Sequence, residues 1–311
     1  MTDRSSAGTL AASVLICSRG RPDLLLDTVR SVLAGGAVPY ELIVVDQSAA
    51  ANAELAGTGP VRGCQVHYLH SATSGLSRAR NVAIEAASCD VVVLIDDDMF
   101  VEDRWLACLL AGLGEGPGAV ATGRVLPAPA EGRGAIVPPA ALVLRDTPAV
   151  YRGAQRFDVV PGANVAMKRE MVRSLGGYDV RLGAGTRFSA ADDNDMGHRL
   201  LAAGCEVRHV PDAVVLHRAH RPKAELVRLR WRYGRGKGAF YAKHAGLRDR
   251  LVADRAAAEA GSRLRRALRA ARRSPRSAAG ELLSLAGMGS GALDWLVFER
   301  FAARLGIGHR R

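Results

Sequence analysis

Up to about residue 125, short β-branched apolar runs alternate with stretches of helical period, and this alternation constrains the fold more than any other feature. SVLICS (13–18), ELIVVD (41–46), QVHYLH (65–70), DVVVLIDDD (90–98) and AVATGRV (119–125) read as strands. Between them, helical patterns run from Pro22 to the Gly35–Gly36 pair, over 76–87 and over 103–111. Proline suits a first helical turn and glycine a helix stop. Strands joined by helices need a mostly parallel sheet with helices on both faces, which is an α/β fold.

The pattern weakens over 126–156, where Pro, Gly and Ala accumulate, and this stretch reads as a long loop. Order returns over 158–179. A helix is expected over 192–203, closed by Gly204, with EVRHV (206–210) and AVVLHR (213–218) as two short strands. Beyond Arg218 the chain reads as helical and basic. The expected division is therefore a catalytic unit at 1–218 and a helical region at 219–311.

Charge follows the same division. Residues 1–217 carry 20 Lys/Arg against 24 Asp/Glu, whereas 218–311 carry 23 against 7. A basic tail suits an anionic partner such as a membrane surface, and a solvated or packed helical appendage is the plainer alternative. Seven arginines fall within 263–276, with Leu264 and Leu268 four apart among them. LLSLAGMGSGALDWLVF (282–298) is apolar, but its glycines and Asp294 make it a poor spanning helix. Nucleic acid is not an expected partner, because aromatic residues are only 5% and no recognition module is visible. Five scattered cysteines without a C-x-x-C argue against a zinc site or a disulfide framework. MTDRSSAGTLAAS has no long apolar core, so no signal peptide is expected. A cytoplasmic protein, peripheral at the inner face of the cell membrane, fits these features.

Three carboxylates, Asp96, Asp97 and Asp98, follow VVVLI directly. Ligands of open α/β sheets bind at the carboxyl ends of strands. Adjacent carboxylates repel and lose solvation unless a cation joins them, and a hard divalent ion, Mg²⁺ or Mn²⁺, suits oxygen ligands. In an extended segment Asp96 and Asp98 share a face. The alternative is an acidic turn capping the next helix.

Four segments in order resemble family 2 of the inverting glycosyltransferases, which have the Rossmann-like GT-A fold. They are VLICSRGRPDLLLDTVRSVL with ELIVVDQS, SGLSRARNVAIEAASCDVVVLIDDDMFVEDRWL, VVPGANVAMKREMVRSLGGYD and DDNDMGHRLLAAGCEVRHVPDAVVLHR. The resemblance implies a nucleotide diphosphate sugar donor and a hydroxyl acceptor, lipid-linked or on a glycan. It implies that Ser18, Arg19, Arg21 and Asp46 hold the nucleotide, with Arg78 and Arg80 near it, although a solvated helix face would also account for these two arginines. The triplet resembles the family's D-x-D motif: Asp96 and Asp98 would hold the metal, and Asp96 and Asp97 would touch ribose and donor sugar. In the E-D-x-D element Asp193 is the implied base, with Asp192 where the family often has Glu. The plainer reading is that Asp192 caps the helix and Asp193 supports its first turn, which does not exclude a base, since one acid can do both. His217 is implied as a further metal ligand, and Gly162, Asn164, Asp195 and Arg199 as substrate-side residues, Asp195 in a structural or orienting role. Residues 181–190 match an acceptor loop. A nucleotidyltransferase and a catalytically silent sugar-binding protein are the rival readings. The first usually has a glycine-rich loop after strand one, where CSRGRP has one glycine. The second should have lost an acid, and all are present.

Overall fold

The computed structural model describes residues 9–129, 135–136, 138, 141–218, 221–222, 225–245 and 250–304. The N-terminal stretch read for a signal peptide lies in part outside these residues, as do pieces of the expected loop and the end of the basic tail.

The first half follows the alternation. β1 (Thr9–Ser18), α1 (Pro22–Ala34), β2 (Val38–Asp46), the single turn α2 (Ala53–Ala56), β3 (Gln65–His70), α3 (Leu76–Ala86) and β4 (Val91–Asp96) come in order. They are followed by β5 (Met99–Val101), α4 (Trp105–Gly112), β6 (Ala119–Pro127), β7 (Ala135–Ile136) and β8 (Ala149–Tyr151). Next are β9 (Val165–Lys168), α5 (Arg169–Ser174), α6 (Asp192–Ala202), β10 (Glu206–His217) and β11 (Arg221–Pro222). Three helices end the described chain: α7 (Glu225–His244), α8 (Arg250–Ala270) and α9 (Pro275–Arg304).

The main sheet runs β3-β2-β1-β4-β9-β6-β10-β5, with β8 on the side of β10. β1 to β4 pair in parallel, as do β6 and β10, whereas β9 sits antiparallel between β4 and β6. Alternate side chains of each strand serve opposite layers. Val14 and Ile16 of β1 pack with Leu25 and Val29 of α1 and Trp105 of α4, while Leu15 packs with Ala83 and Ile84 of α3 and Leu200 of α6. Helices therefore cover both faces, as the alternation requires.

Three local expectations are corrected. The acidic triplet does not continue the strand: β4 stops at Asp96, Asp97 and Asp98 form a turn, and β5 begins at Met99. The two short strands near residue 210 are one strand, β10, whose register against β6 shifts between Val210 and Val214. Residues 126–156 are not wholly loop, since β8 pairs with β10 and Val125 bridges Val143.

The C-terminal helices dock on the α/β part of the chain. α7 and α9 cross at Gly234 and Gly238 on one side and Gly287 and Gly291 on the other. A Cβ at Gly238 would overlap the Met288 carbonyl, and one at Gly291 the Arg235 carbonyl, so only glycine permits this approach. Trp295 of α9 then packs on Phe188, ring centroids 5.3 Å apart, with the Arg181 guanidinium 4.3 Å from the indole. Among the described residues no helix is long and apolar enough to cross a membrane.

Candidate active site

β1 and β4 are adjacent and parallel, so the loop after β1 meets the acids after β4. Ser18 Oγ donates to Asp97 Oδ2 at 2.5 Å, and the Arg21 guanidinium pairs with both Asp97 and Asp98, the latter at 2.7 Å. Ser18 and Arg21 therefore organise the acids. Burial pushes the Asp97 carboxyl up to about 7 against the opposing charge of Arg21. Asp96 is likewise raised by burial, with Arg80 opposing.

β5 and β10 pair antiparallel at Met99 and His217, which brings the imidazole to the acidic turn. Ligand atoms of Asp96, Asp98 and His217 all lie within 4.8 Å of one another. His217 Nδ1 is 3.2 Å from the Ala141 carbonyl, and Nε2 is 3.0 Å from Asp98 Oδ1. Against burial, the hydrogen bond and charge of Asp98 hold the imidazole above its ordinary pKa, so Nε2 carries a proton toward Asp98, and a divalent ion would take the place of that proton. Two carboxylates and one imidazole suit Mn²⁺ or Mg²⁺, so these residues fit a divalent ion.

α6 begins at Asp192 after Ala191, which adopts a left-handed backbone with φ 70°. Arg80, itself buried, donates to Asp192 at 2.5 Å and to the Gly162 carbonyl at 2.5 Å, and reaches Asp96 at 3.4 Å. Its guanidinium lies 5.1 Å from the Tyr178 ring. One cation thus ties the acid at the end of β4 to the acid that starts α6. Asp193 is placed differently. Its Oδ1 accepts from the Asn194 N–H, and its side chain lines a cleft of about 680 Å³ together with Asp96, Arg80, Gly162, Asp192 and Lys237. Burial, then the charges of Asp192 and Asp158, raise its carboxyl to about 7, with Lys237 opposing. A carboxyl poised there can accept a proton near neutral pH.

Other expected residues sit elsewhere. Asp195 is fully buried and accepts from Arg199 at 2.9 Å and pairs with Lys243 at 2.5 Å and His244 at 2.7 Å. Burial alone would raise its carboxyl, but His244, Arg199 and Lys243 hold it at about 2. Arg199 also donates to the carbonyls of Leu175 and Gly177. This pair anchors α6 rather than facing the cleft. Asn164, at φ 59°, is buried and accepts from Trp105 Nε1 at 2.7 Å while its amide donates to the Arg124 and Ala213 carbonyls. It braces the floor below Gly162. Asp46 accepts from the Ser48 N–H and the Tyr68 hydroxyl. Arg19 and Arg78 are exposed.

Sequence reasoning missed the cleft residues supplied by the tail: Tyr233, Lys237 and Arg263. The one available signal was the matched glycine spacing at 234/238 and 287/291, which marks a close helix pair. It does not say which cations that pair delivers to the cleft.

The sequence profile of the family described as "Glycosyl transferase family 2" matches residues 13–175. A pre-mycofactocin glycosyltransferase of Mycobacterium tuberculosis (strain ATCC 25618 / H37Rv) is 25% identical over 61% of this chain, and the match spans 40% of that relative's length. The succinoglycan biosynthesis protein ExoM of Rhizobium meliloti (strain 1021) is 29% identical over 78% of this chain and 79% of its own. The mannosyltransferase PcManGT from Pyrobaculum calidifontis, solved in complex with GDP-Man and Mn²⁺, superposes with TM-score 0.60 at 18% identity, over 94% of this chain and 88% of its own. That likeness establishes the GT-A fold.

Proposed function

Because the chain belongs to glycosyl transferase family 2, whose profile covers just over half of it, we propose that it moves a sugar from a nucleoside diphosphate to an acceptor hydroxyl with inversion, and that Asp193 is the base. The observation that carries this reading is the division of labour among the acids. Asp96 and Asp98 converge with His217, Asp192 is consumed by Arg80, and Asp193 faces the cleft with its carboxyl raised to about 7.

The chemistry is a single displacement. The acceptor oxygen forms a bond to the anomeric carbon while the bond from that carbon to the diphosphate oxygen breaks. The bonding pair leaves with the diphosphate, and the acceptor proton passes to a carboxylate oxygen of Asp193. Asp96, Asp98 and His217 would hold a divalent ion, Mn²⁺ or Mg²⁺, which when bound supplies Lewis-acid neutralisation of the leaving group. Ser18 and Arg21 keep Asp97 and Asp98 in register for that role. Asp46 at the end of β2, with the exposed Arg19 and Arg78, is the proposed nucleotide side. Gly162 leaves room beside Asp193, from whose Oδ2 even a Cβ would be 3.5 Å away. A screen of nucleotide sugars for Mn²⁺-dependent hydrolysis, repeated in EDTA, tests the reading. Turnover that is unchanged in EDTA would remove the metal from it.

We further read residues 1–218 as the catalytic unit and 219–311 as a helical region that meets an anionic membrane surface at the inner face of the membrane. One observation favours this. Arg265, Arg269, Arg272, Arg273 and Arg276 are exposed and pair with no acid among the described residues, and Leu264 and Leu268 are exposed beside them. Basic residues near anionic lipid contribute on the order of 1 kcal/mol each.

A further inference from the structure

Asp193 lines two cavities. One is the cleft that also holds Asp96, Arg80 and Gly162. The second, of about 170 Å³, shares Phe157, Val160, Asp193 and Asn194 with the cleft but none of those three. In a single displacement the leaving group departs toward the metal acids, so the acceptor must approach from the opposite side of the anomeric carbon. A cavity that meets the cleft beside the base, and not beside Asp96, stands where such an acceptor has to lie.

The walls of the second cavity define what fits it. It is lined by Ala154, Phe157 and Val160, by Leu201 and Ala202 of α6, and by Leu251 of α8. Much of its polar lining is already committed. Asp158 pairs with Arg255 at 2.6 Å and Lys237 at 2.5 Å, Gln155 donates to the Arg152 carbonyl, and the His198 ring packs on His244 with centroids 4.3 Å apart. An apolar cavity of about 150 Å³ holds one benzene ring, so this one has room for a single six-membered ring. A fully hydroxylated ring would lose water here at several hydroxyls, and each one left without a partner costs on the order of tenfold in affinity. An apolar ring carries no such cost and gains by burial. Phe157 is 55% exposed at the junction of the two cavities, with Tyr151 edge-on at 5.7 Å. Such aromatic surface, beside the base, is what the ring of a ligand would cover. The ion pairs of Asp158 tie this segment to α7 and α8, so the junction is formed before any ligand arrives.

From this, and resting on the glycosyltransferase reading above, we propose that the second cavity receives the acceptor, and that the acceptor presents an apolar six-membered ring, aromatic or alicyclic, next to the hydroxyl that is glycosylated. The hydroxyl faces Asp193, and the ring packs on Phe157 beside Leu201 and Leu251.

The test uses the full chain and three probes, benzyl alcohol, cyclohexylmethanol and methyl glucoside, titrated by saturation-transfer NMR. One or both ring alcohols should bind about tenfold more tightly than methyl glucoside. A preference confined to one of them tells whether the ring is aromatic or alicyclic. Ala202→Phe fills the cavity and Phe157→Ala removes its aromatic surface; both positions are exposed, so neither change opens the core. Each should remove most of the preference, whereas Ala203→Phe, exposed and outside the cavity lining, should retain it. With a donor that the screen has shown to turn over, the preferred alcohol should be glycosylated, and about tenfold more slowly by Ala202→Phe. Equal binding of all three probes, a preference that survives both Ala202→Phe and Phe157→Ala, or binding without glycoside formation overturns the proposal. Failure of every nucleotide sugar in the preceding screen would instead overturn the glycosyltransferase reading, and the binding titration, which needs no turnover, keeps the two failures distinct.

Discussion

Arg80 Nη1 lies 2.5 Å from Asp192 Oδ2, and both side chains are buried. Because the same guanidinium also reaches Asp96 and the Gly162 carbonyl, removing it leaves a buried carboxylate without its cation. Arg80→Met should therefore destabilise the fold by on the order of 3–5 kcal/mol. Urea denaturation followed by circular dichroism checks this. A loss below about 1 kcal/mol, the range of an exposed pair, would mean that Arg80 is not the buried link described.

Asp193 should make the protein less stable as pH rises. Its folded-state carboxyl stands at about 7 against an ordinary value of 3.8. Between those values the folded state holds a proton that the unfolded state has released, so stability falls with increasing pH across that window. Asp193→Asn removes the titration. The variant should be more stable than the parent above pH 7, with the gap closing as pH drops toward 4. Parallel melting curves at pH 5 and pH 8 check this, and a constant gap would show that the carboxyl is not raised.

Liposome co-sedimentation tests the membrane reading. Full-length protein should bind vesicles containing phosphatidylserine, bind less at high salt, and lose binding when Arg265, Arg269, Arg272, Arg273 and Arg276 are replaced by serine. Equal supernatant fractions for parent and variant would leave the tail with a packing role alone.

Much of the framework was legible in the sequence because strand ends and helix starts are local. Ser18 and Asp46 end their strands, and Asp192 opens its helix, where periodicity put them, whereas the strand before the acids stops at Asp96, two residues short of the expected end. His217 reaches the acids through the β5–β10 pairing, a single strand contact. What could not be read depends on contacts far apart in the chain. Arg80 looks like any solvated helix arginine until Asp192, 112 residues on, is brought against it. The family resemblance put Asp195 and Arg199 among the substrate-side residues, Asp195 in a structural or orienting role. However, α6 turns them to the opposite side, where Lys243 and His244 arrive from α7. The turn at Asp97 stood only as the alternative reading because no glycine, asparagine or proline marks it; Ser18 at the end of β1 and Arg21 in the following loop stabilise it.

The central claim is that Asp193 takes the acceptor proton, and single-turnover transfer by Asp193→Asn tests it most directly. The amide keeps the shape and cannot accept the proton. Transfer should fall by about 10²–10⁴-fold, while affinity for the nucleotide sugar in Mn²⁺ stays close to the parent value. Transfer within a few-fold of the parent would contradict the claim and move the base to another residue of the cleft.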